Sequence, residues 1–403
     1  MEVGVTLERA IEIALRNPLP RRTETIEIDD ASGRTLAIDL ASKVDDPRFD
    51  NSAMDGWAVR QSDCELSGSK LRIVGTSQAG STKIPQVTAG EACSIMTGAP
   101  IPEGADAIVM VEDSQTQGNF VIIKGPARPG FIRKKAENLE EGQVALKAGA
   151  SLGPASISLA ATMGYGQLEV VQRPRIAIIG VGDELTPPGQ KLSQSSIYES
   201  NTFGLASLAK KMGCLPSRYE IIPDNIDSLR DTLNEAAENS DAIITSGGVS
   251  MGKWDIVRAI MEEEGKLSFW RVLMRPGGPP LFGSWRKTPL FGLPGNPVSS
   301  HVVFHALVSP WISKSLGFDQ WIGPRLSQKV SVRLEEDIAG APQKLCLRRI
   351  KIKSEKGMLV ATTQTHQGSG NVHSLVAHNG LTLLPPDVDG KKGQVIDALW
   401  IQN

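Results

Sequence analysis

Between residues 175 and 311, short continuous hydrophobic runs alternate with stretches whose apolar residues recur at helical spacing. Ile176, Ala177, Ile178 and Ile179 form one such run and predict a fully buried strand over 175–180. Residues 201–212 read as a helix stopped by Gly213, and 218–222 as a second strand. A helix over 226–238, capped by Asp224 or Asn225, leads to a third strand at 241–245 and a helix at 256–264 ended by Gly265. Strands are also expected at 268–274 and 289–291, the latter opening a helix through His301, Val302, Phe304, His305, Leu307 and Val308. Such alternation has few solutions other than parallel strands with crossover helices, so residues 175–317 are expected to form a doubly wound α/β domain.

The flanking regions have another period. Short β-type runs at 71–74, 107–111 and 120–124 lie between glycine and proline turns, which predicts a small β domain over 45–135. Strand candidates at 329–334, 343–352, 358–363 and 381–384 predict a C-terminal β barrel over 318–403. Thr6 suits the cap of a helix with Leu7, Ala10, Ile11, Ala14 and Leu15 on one face, ending before Asn17-Pro18. Residues 1–44 and 136–174 are expected to pack together as a connecting domain. The expected fold is multidomain α/β plus β: a central doubly wound domain, a β domain inserted N-terminally and a C-terminal barrel. Division into several cores suits a chain of 403 residues.

Charge and composition narrow the function classes. A net charge of −2 lacks the basic excess of a nucleic-acid or anionic-membrane surface, so neither partner is expected. No run approaches the ~20 apolar residues that span a bilayer, and the N-terminus lacks the pattern of a signal peptide. Cys64, Cys93, Cys214 and Cys346 lie far apart with no Cys-x-x-Cys pair, which suits a reduced, cytoplasmic setting.

The candidate chemistry sits in glycine loops that follow strands. Thr245-Ser246-Gly247-Gly248-Val249-Ser250-Met251-Gly252 has little side-chain bulk, so successive backbone N–H groups can converge on an anion. Arg275-Pro276-Gly277-Gly278-Pro279-Pro280 and Gly292-Leu293-Pro294-Gly295-Asn296-Pro297-Val298-Ser299 are similar. In the last, Asn296 suits an N-cap and Pro297 the first helical position, which places a helix N-terminus at the loop mouth. Three such loops belong to one edge of a parallel sheet, where α/β folds bind ligands. Asp183, Glu184, Asp224 and Asp255 fall beside them, and carboxylates facing oxyanion loops are a common way to hold Mg²⁺. As a bland alternative, Asp224 is only a cap and Asp255 only a first-turn acid. His301 and His305 stand four apart but lack a third ligand, so they read as core or interface residues. Glu262-Glu263-Glu264 reads as a solvated helix end, Arg133-Lys134-Lys135 as a solvated turn or a phosphate contact, and no Ser-His-Asp arrangement is evident.

Six ordered motifs resemble the molybdopterin molybdotransferase (MoeA) family, which includes the E domains of gephyrin and its plant relatives. They are Phe49-Asp50-Asn51-Ser52-Ala53-Met54-Asp55-Gly56-Trp57-Ala58, Ile95-Met96-Thr97-Gly98-Ala99-Pro100, Gly182-Asp183-Glu184-Leu185, Ser246-Gly247-Gly248-Val249-Ser250, the Gly292–Ser299 loop and His366-Gln367-Gly368-Ser369. The resemblance covers nearly the whole chain. It implies an enzyme that takes adenylylated molybdopterin and molybdate, inserts the metal into the dithiolene and releases AMP with Mg²⁺ assistance. It also implies a homodimer whose cleft lies between the glycine-loop domain of one subunit and the Asp55 module of the other.

By this resemblance Asp55, Thr97, Glu184, Asp224, Asp255, Arg271 and Arg275 form the catalytic set, with Glu184 and Asp224 holding the metal. Gly247, Gly248, Val249, Ser250, Pro276, Gly277, Gly295, Asn296, Pro297, Ser299, Arg349 and Ser369 form the substrate-binding set. Arg271 and Arg275 stand where relatives commonly carry lysine, Gly278 replaces a further lysine, and Asn138 replaces an acid. Two other readings are a molybdopterin adenylyltransferase, which needs neither the Asp55 module nor the C-terminal β domain, and a non-enzymatic scaffold of the gephyrin type.

Overall fold

The computed structural model describes residues 1–249, 255–363 and 366–401. Its central sheet has seven strands in the order Glu2–Val5, Lys266–Val272, Leu281–Trp285, Thr288–Leu293, Ala242–Ser246, Arg175–Gly180 and Leu215–Arg218. The last four are mutually parallel, as the alternating pattern requires. Leu281–Trp285 runs antiparallel to both neighbours, so the sheet is mixed rather than wholly parallel. The cause is a two-residue turn in which Arg286 and Lys287 both take positive φ, 45° and 75°. That conformation suits a tight hairpin, but Arg-Lys carries none of its usual sequence signal.

Two further expectations need correction. The second strand is Leu215–Arg218, not 218–222; it is an edge strand bonded to Arg175–Gly180 alone, where Pro216 is tolerated. The N-terminal segment leaves the connecting domain and joins the central sheet, with Glu2–Val5 parallel to Lys266–Val272. Thr6 caps helix Leu7–Ala14 by accepting from the Arg9 N–H at 3.2 Å. The buried face of that helix, Ala10, Ile13 and Ala14, shares a core with Phe291, Phe304 and Trp311, and the Trp311 indole donates to the Ala14 carbonyl at 3.1 Å.

The rest of the connecting layer pairs Thr23–Glu27 with Gln167–Val171 and Leu40–Ala41 with Val144–Leu146 around helix Pro154–Thr162. The β domain is a six-stranded sheet, and its two hydrophobic clusters draw only on residues 54–132. The C-terminal unit is a closed barrel of Ser327–Leu334, Met358–Thr362, Arg349–Glu355, Gly380–Thr382 and Val395–Ile401. The strand expected over 343–352 is split, because Leu345–Cys346 pairs outside the barrel with Met274–Arg275. That pairing ties the barrel to one glycine loop. Among the described residues no helix is long and apolar enough to cross a membrane.

Candidate functional site

Gly180, Ser246 and Leu293 are successive partners at the C-terminal ends of three parallel strands, so the Gly247 and Gly295 loops leave the same sheet edge. Gly247 has φ +102°, and a Cβ there would lie 2.3 Å from the Val181 carbonyl oxygen, which makes glycine obligatory. Its N–H is held by the Leu293 carbonyl at 3.1 Å, and the Val249 carbonyl accepts from the Trp270 indole at 3.2 Å. A Cβ on Gly295 would stand 3.6 Å from the Gly247 Cα, so the two loops touch. Asn201 pins them together: its amide donates to Ser246 Oγ at 2.8 Å and to the Gly295 carbonyl at 2.7 Å. The expected site residue Ser250 lies outside the described residues.

Pro297 opens helix Pro297–Val303, as expected, but the Asn296 side chain makes no capping bond. The Val298 N–H is instead taken by the Ser369 carbonyl at 3.1 Å, so the C-terminal domain supplies the cap. Ser299 follows, buried, and its carbonyl would meet a Cβ on Gly277 at 3.3 Å. The Arg275 loop therefore lies directly on this helix. Arg271 has φ +69° and its guanidinium sits 4.6 Å from the Trp270 ring centroid. Arg271, Arg275, Pro276 and Gly277 line a cleft of about 630 Å³, and Lys344 enters it from the C-terminal unit.

Arg349, one of the expected substrate-binding residues, lies in the C-terminal unit. It is buried, its guanidinium donates to the carbonyls of Gly368 at 3.1 Å and His366 at 3.4 Å, and its Nε has no partner. Burial lowers its pKa. Arg349 thereby holds the 366–369 loop against the helix that follows Gly295.

Asp224 is brought to the edge by the Gly182 N–H, which donates to the Ile222 carbonyl at 3.0 Å. Asn225 caps helix Ile226–Asn239, accepting from the Ser228 N–H at 2.9 Å, which leaves the Asp224 carboxylate outside the cap. Burial, then repulsion by Asp183, Glu184 and Asp255, raises the Asp224 pKa. Glu184 is exposed and folds back over Gly182, where a Cβ would lie 2.5 Å from its Oε2. Asp255 occupies the position before helix Ile256–Glu263. Among the described residues no cluster of three or more His, Cys, Asp or Glu side chains forms a metal cage. A second cleft, of about 720 Å³, opens beside these acids and is lined by Asp183, Glu199, Phe203 and Arg218, the last stacked 3.3 Å from the Phe203 centroid.

The Asp55 carboxylate accepts from both the N–H and the hydroxyl of Thr97, at 2.7 and 2.9 Å, and these bonds lower its pKa. Phe49, Met96 and Val111 stand exposed in the same module. Lys134 and Lys135 pair with Asp50 and Asp45, so the two lysines of this basic run are neutralised internally. The Asn138 amide donates to Asp46 at 3.1 Å, a bond that an ionised acid at that position could not make. His305 is a core residue and His301 is half-buried beside it; burial depresses both pKa values, that of His305 to about 4.

Residues 5–164 match the MoeA N-terminal region (domain I and II), residues 177–314 the probable molybdopterin binding domain, and residues 331–401 the MoeA C-terminal region (domain IV). A molybdopterin molybdenumtransferase of Haemophilus influenzae is 37% identical over 323 residues, which is 79% of this chain and 80% of that protein. The chain belongs to the MoeA family. A Nostoc member named molybdopterin molybdenumtransferase is 35% identical over 377 residues, 90% of this chain and 85% of that one. The solved structure of a MoeA protein from Pyrococcus horikoshii matches with a TM-score of 0.83 at 27% identity, covering 98% of this chain and 100% of that chain. In MoeA terms, Asp55 and Thr97 lie in the N-terminal region, the three glycine loops and four acids in the molybdopterin binding domain, and Arg349 and Ser369 in the C-terminal region.

Proposed function

We propose that this chain is a molybdopterin molybdotransferase: it takes adenylylated molybdopterin and molybdate, inserts the metal into the dithiolene and releases AMP. The observation that carries this reading is the convergence of the Gly247, Arg275 and Gly295 loops, the Ser299 helix and the Asp224 acids at one sheet edge. Adenylate phosphate and molybdate are both oxyanions, and cations with a helix N-terminus are the groups that hold them. Arg275 and Lys344 share a cleft, so the charge absent at Gly278 is supplied from the C-terminal unit. That retained cationic site favours an enzyme over a scaffold, and the Asp55 module with the barrel exceeds what an adenylyltransferase needs.

The crowded acids fit a divalent cation, because burial and then repulsion from Asp183, Glu184 and Asp255 raise the Asp224 pKa, and a bound cation would relieve both. Glu184 and Asp224 would hold Mg²⁺ together with water and phosphate oxygens, neutralising the AMP leaving group. The separate hydrophobic clusters of the Asp55 module and the apolar exposure of Phe49, Met96 and Val111 support a homodimer in which that module completes the cleft of the twin subunit. Incubating the pure protein with adenylylated molybdopterin tests the reading: AMP should appear only when molybdate and Mg²⁺ are both present. AMP formation that ignores molybdate would contradict it.

A further inference from the structure

At the opposite end of the central sheet, a cleft of about 750 Å³ is lined by four cationic side chains, Arg173, Lys210, Lys211 and Arg325, and no carboxylate. None of the four forms an ion pair with a carboxylate among the described residues. They come from three separate places along the chain: Arg173 precedes strand Arg175–Gly180, both lysines end helix Asn201–Lys211, and Arg325 follows helix Ser309–Leu316. Two lysines in a last helical turn complement the helix dipole and need no ligand. Arg173 and Arg325 have no such reason to gather there.

The cleft also displays Trp321, 65% exposed, whereas Trp57, Trp270, Trp285 and Trp311 are buried. Exposure here is not looseness. Asp319 Oδ1 accepts from the backbone N–H groups of Trp321 at 2.7 Å and Ile322 at 2.9 Å, and the Ile322 carbonyl accepts from the Ser151 N–H at 2.8 Å. A fixed turn thus presents a large flat ring beside four unneutralised cations. Cys214 in the wall is buried with its thiol pKa pushed up to about 12, which excludes thiolate chemistry as the purpose of the cleft.

We propose that this cleft is a second ligand site that binds a nucleoside triphosphate, the base stacking on Trp321 and the phosphates lying among Arg173, Lys210, Lys211 and Arg325. The volume lies within the ~300–1,000 Å³ of small-molecule sites. Arginine forks suit phosphate oxygens, and aromatic stacking accepts any base. The site is distinct from the glycine-loop edge: Leu215 pairs with Arg175 at the start of strand Arg175–Gly180, whereas Ser246 pairs with Gly180 at its end. Helix Asn201–Lys211 links the two, with Asn201 on the glycine loops and Lys210 and Lys211 on the cleft.

The test is titration of the full chain with ATP, inorganic triphosphate and adenosine, read by tryptophan fluorescence and calorimetry. ATP should quench a component of the emission, and it should bind at least tenfold more tightly than either fragment. Trp321→Leu should lose that quench and weaken ATP about tenfold, while Trp321→Phe keeps the affinity. The double variant Arg173→Ser/Arg325→Ser should weaken ATP at least tenfold, with far-UV circular dichroism and molybdate-dependent AMP release unchanged in every cleft variant. Absence of ATP binding, or triphosphate binding as tight as ATP, would overturn the proposal. So would ATP binding that survives both Trp321→Leu and the arginine double variant, since it would then lie elsewhere, on the glycine loops if Gly247→Val abolishes it.

Discussion

At Asp224, burial and the carboxylates of Asp183, Glu184 and Asp255 hold the pKa above its unfolded value of about 3.8. The folded protein therefore binds this proton more tightly than the unfolded chain, and stability falls as pH rises from about 3.8 through the folded pKa. At neutral pH the ionised side chain opposes folding unless a cation accompanies it. Asp224→Asn should thus leave the thermal midpoint at pH 7 equal or higher, remove the stabilisation that Mg²⁺ gives the parent, and lower AMP release at least tenfold. A midpoint that falls, or a Mg²⁺ response that persists, would remove Asp224 from the metal site. Arg275 lies exposed in the cleft it shares with Lys344. Hydrogen bonds to charged groups contribute about 1.5–3 kcal/mol, so Arg275→Ala should weaken molybdate or nucleotide binding roughly ten- to a hundredfold in calorimetry. Gly278→Lys should bind molybdate at least as tightly as the parent, because a Cβ there meets nothing closer than the Met274 carbonyl at 3.4 Å.

Among the elements, the two touching glycine loops depend on one amide and one missing Cβ. Asn201→Ala removes both loop anchors, so AMP release should fall while the central sheet remains intact; unchanged turnover would show that the loops hold themselves. Gly247→Ala places a Cβ against the Val181 carbonyl at positive φ and should cost at least ~2 kcal/mol in denaturant unfolding. Most elements around the site were legible in the sequence because their periods are local: strand Arg175–Gly180 and helix Ile226–Asn239 follow directly from apolar runs and a cap. What escaped depends on partners distant along the chain. Glu2–Val5 is too short, and interrupted by Gly4, to announce a strand, and its place is fixed by Lys266–Val272. The Arg286-Lys287 turn holds an antiparallel strand without a turn signature. The barrel strand Val395–Ile401 is the reverse case, since Ile396 and Ala398 alternate with exposed Val395 and Asp397 and were there to be read. At the site, glycines and acids were visible as types in order, whereas Asn201, Lys344 and the inward turn of Arg349 exist only through tertiary contacts.

At the scale of the whole molecule, the proposed function places the cleft between two copies of the chain. Asp55→Ala and Asp224→Ala homodimers should each be nearly inactive. In a mixed dimer, one of the two clefts joins an intact Asp55 module to an intact Asp224 domain, so doubly tagged heterodimers should regain up to about half the parental activity. Heterodimers as inactive as either parent would place both residues in the service of one subunit. Transfer of molybdenum coupled to loss of AMP has a more direct measurement. Pure protein is loaded with adenylylated molybdopterin and Mg²⁺, molybdate is added, and free AMP and dithiolene-bound molybdenum are counted in the same sample. The two should appear together in equal amounts, and neither should form with Asp224→Asn; AMP without bound molybdenum, or bound molybdenum without AMP, would contradict coupled transfer.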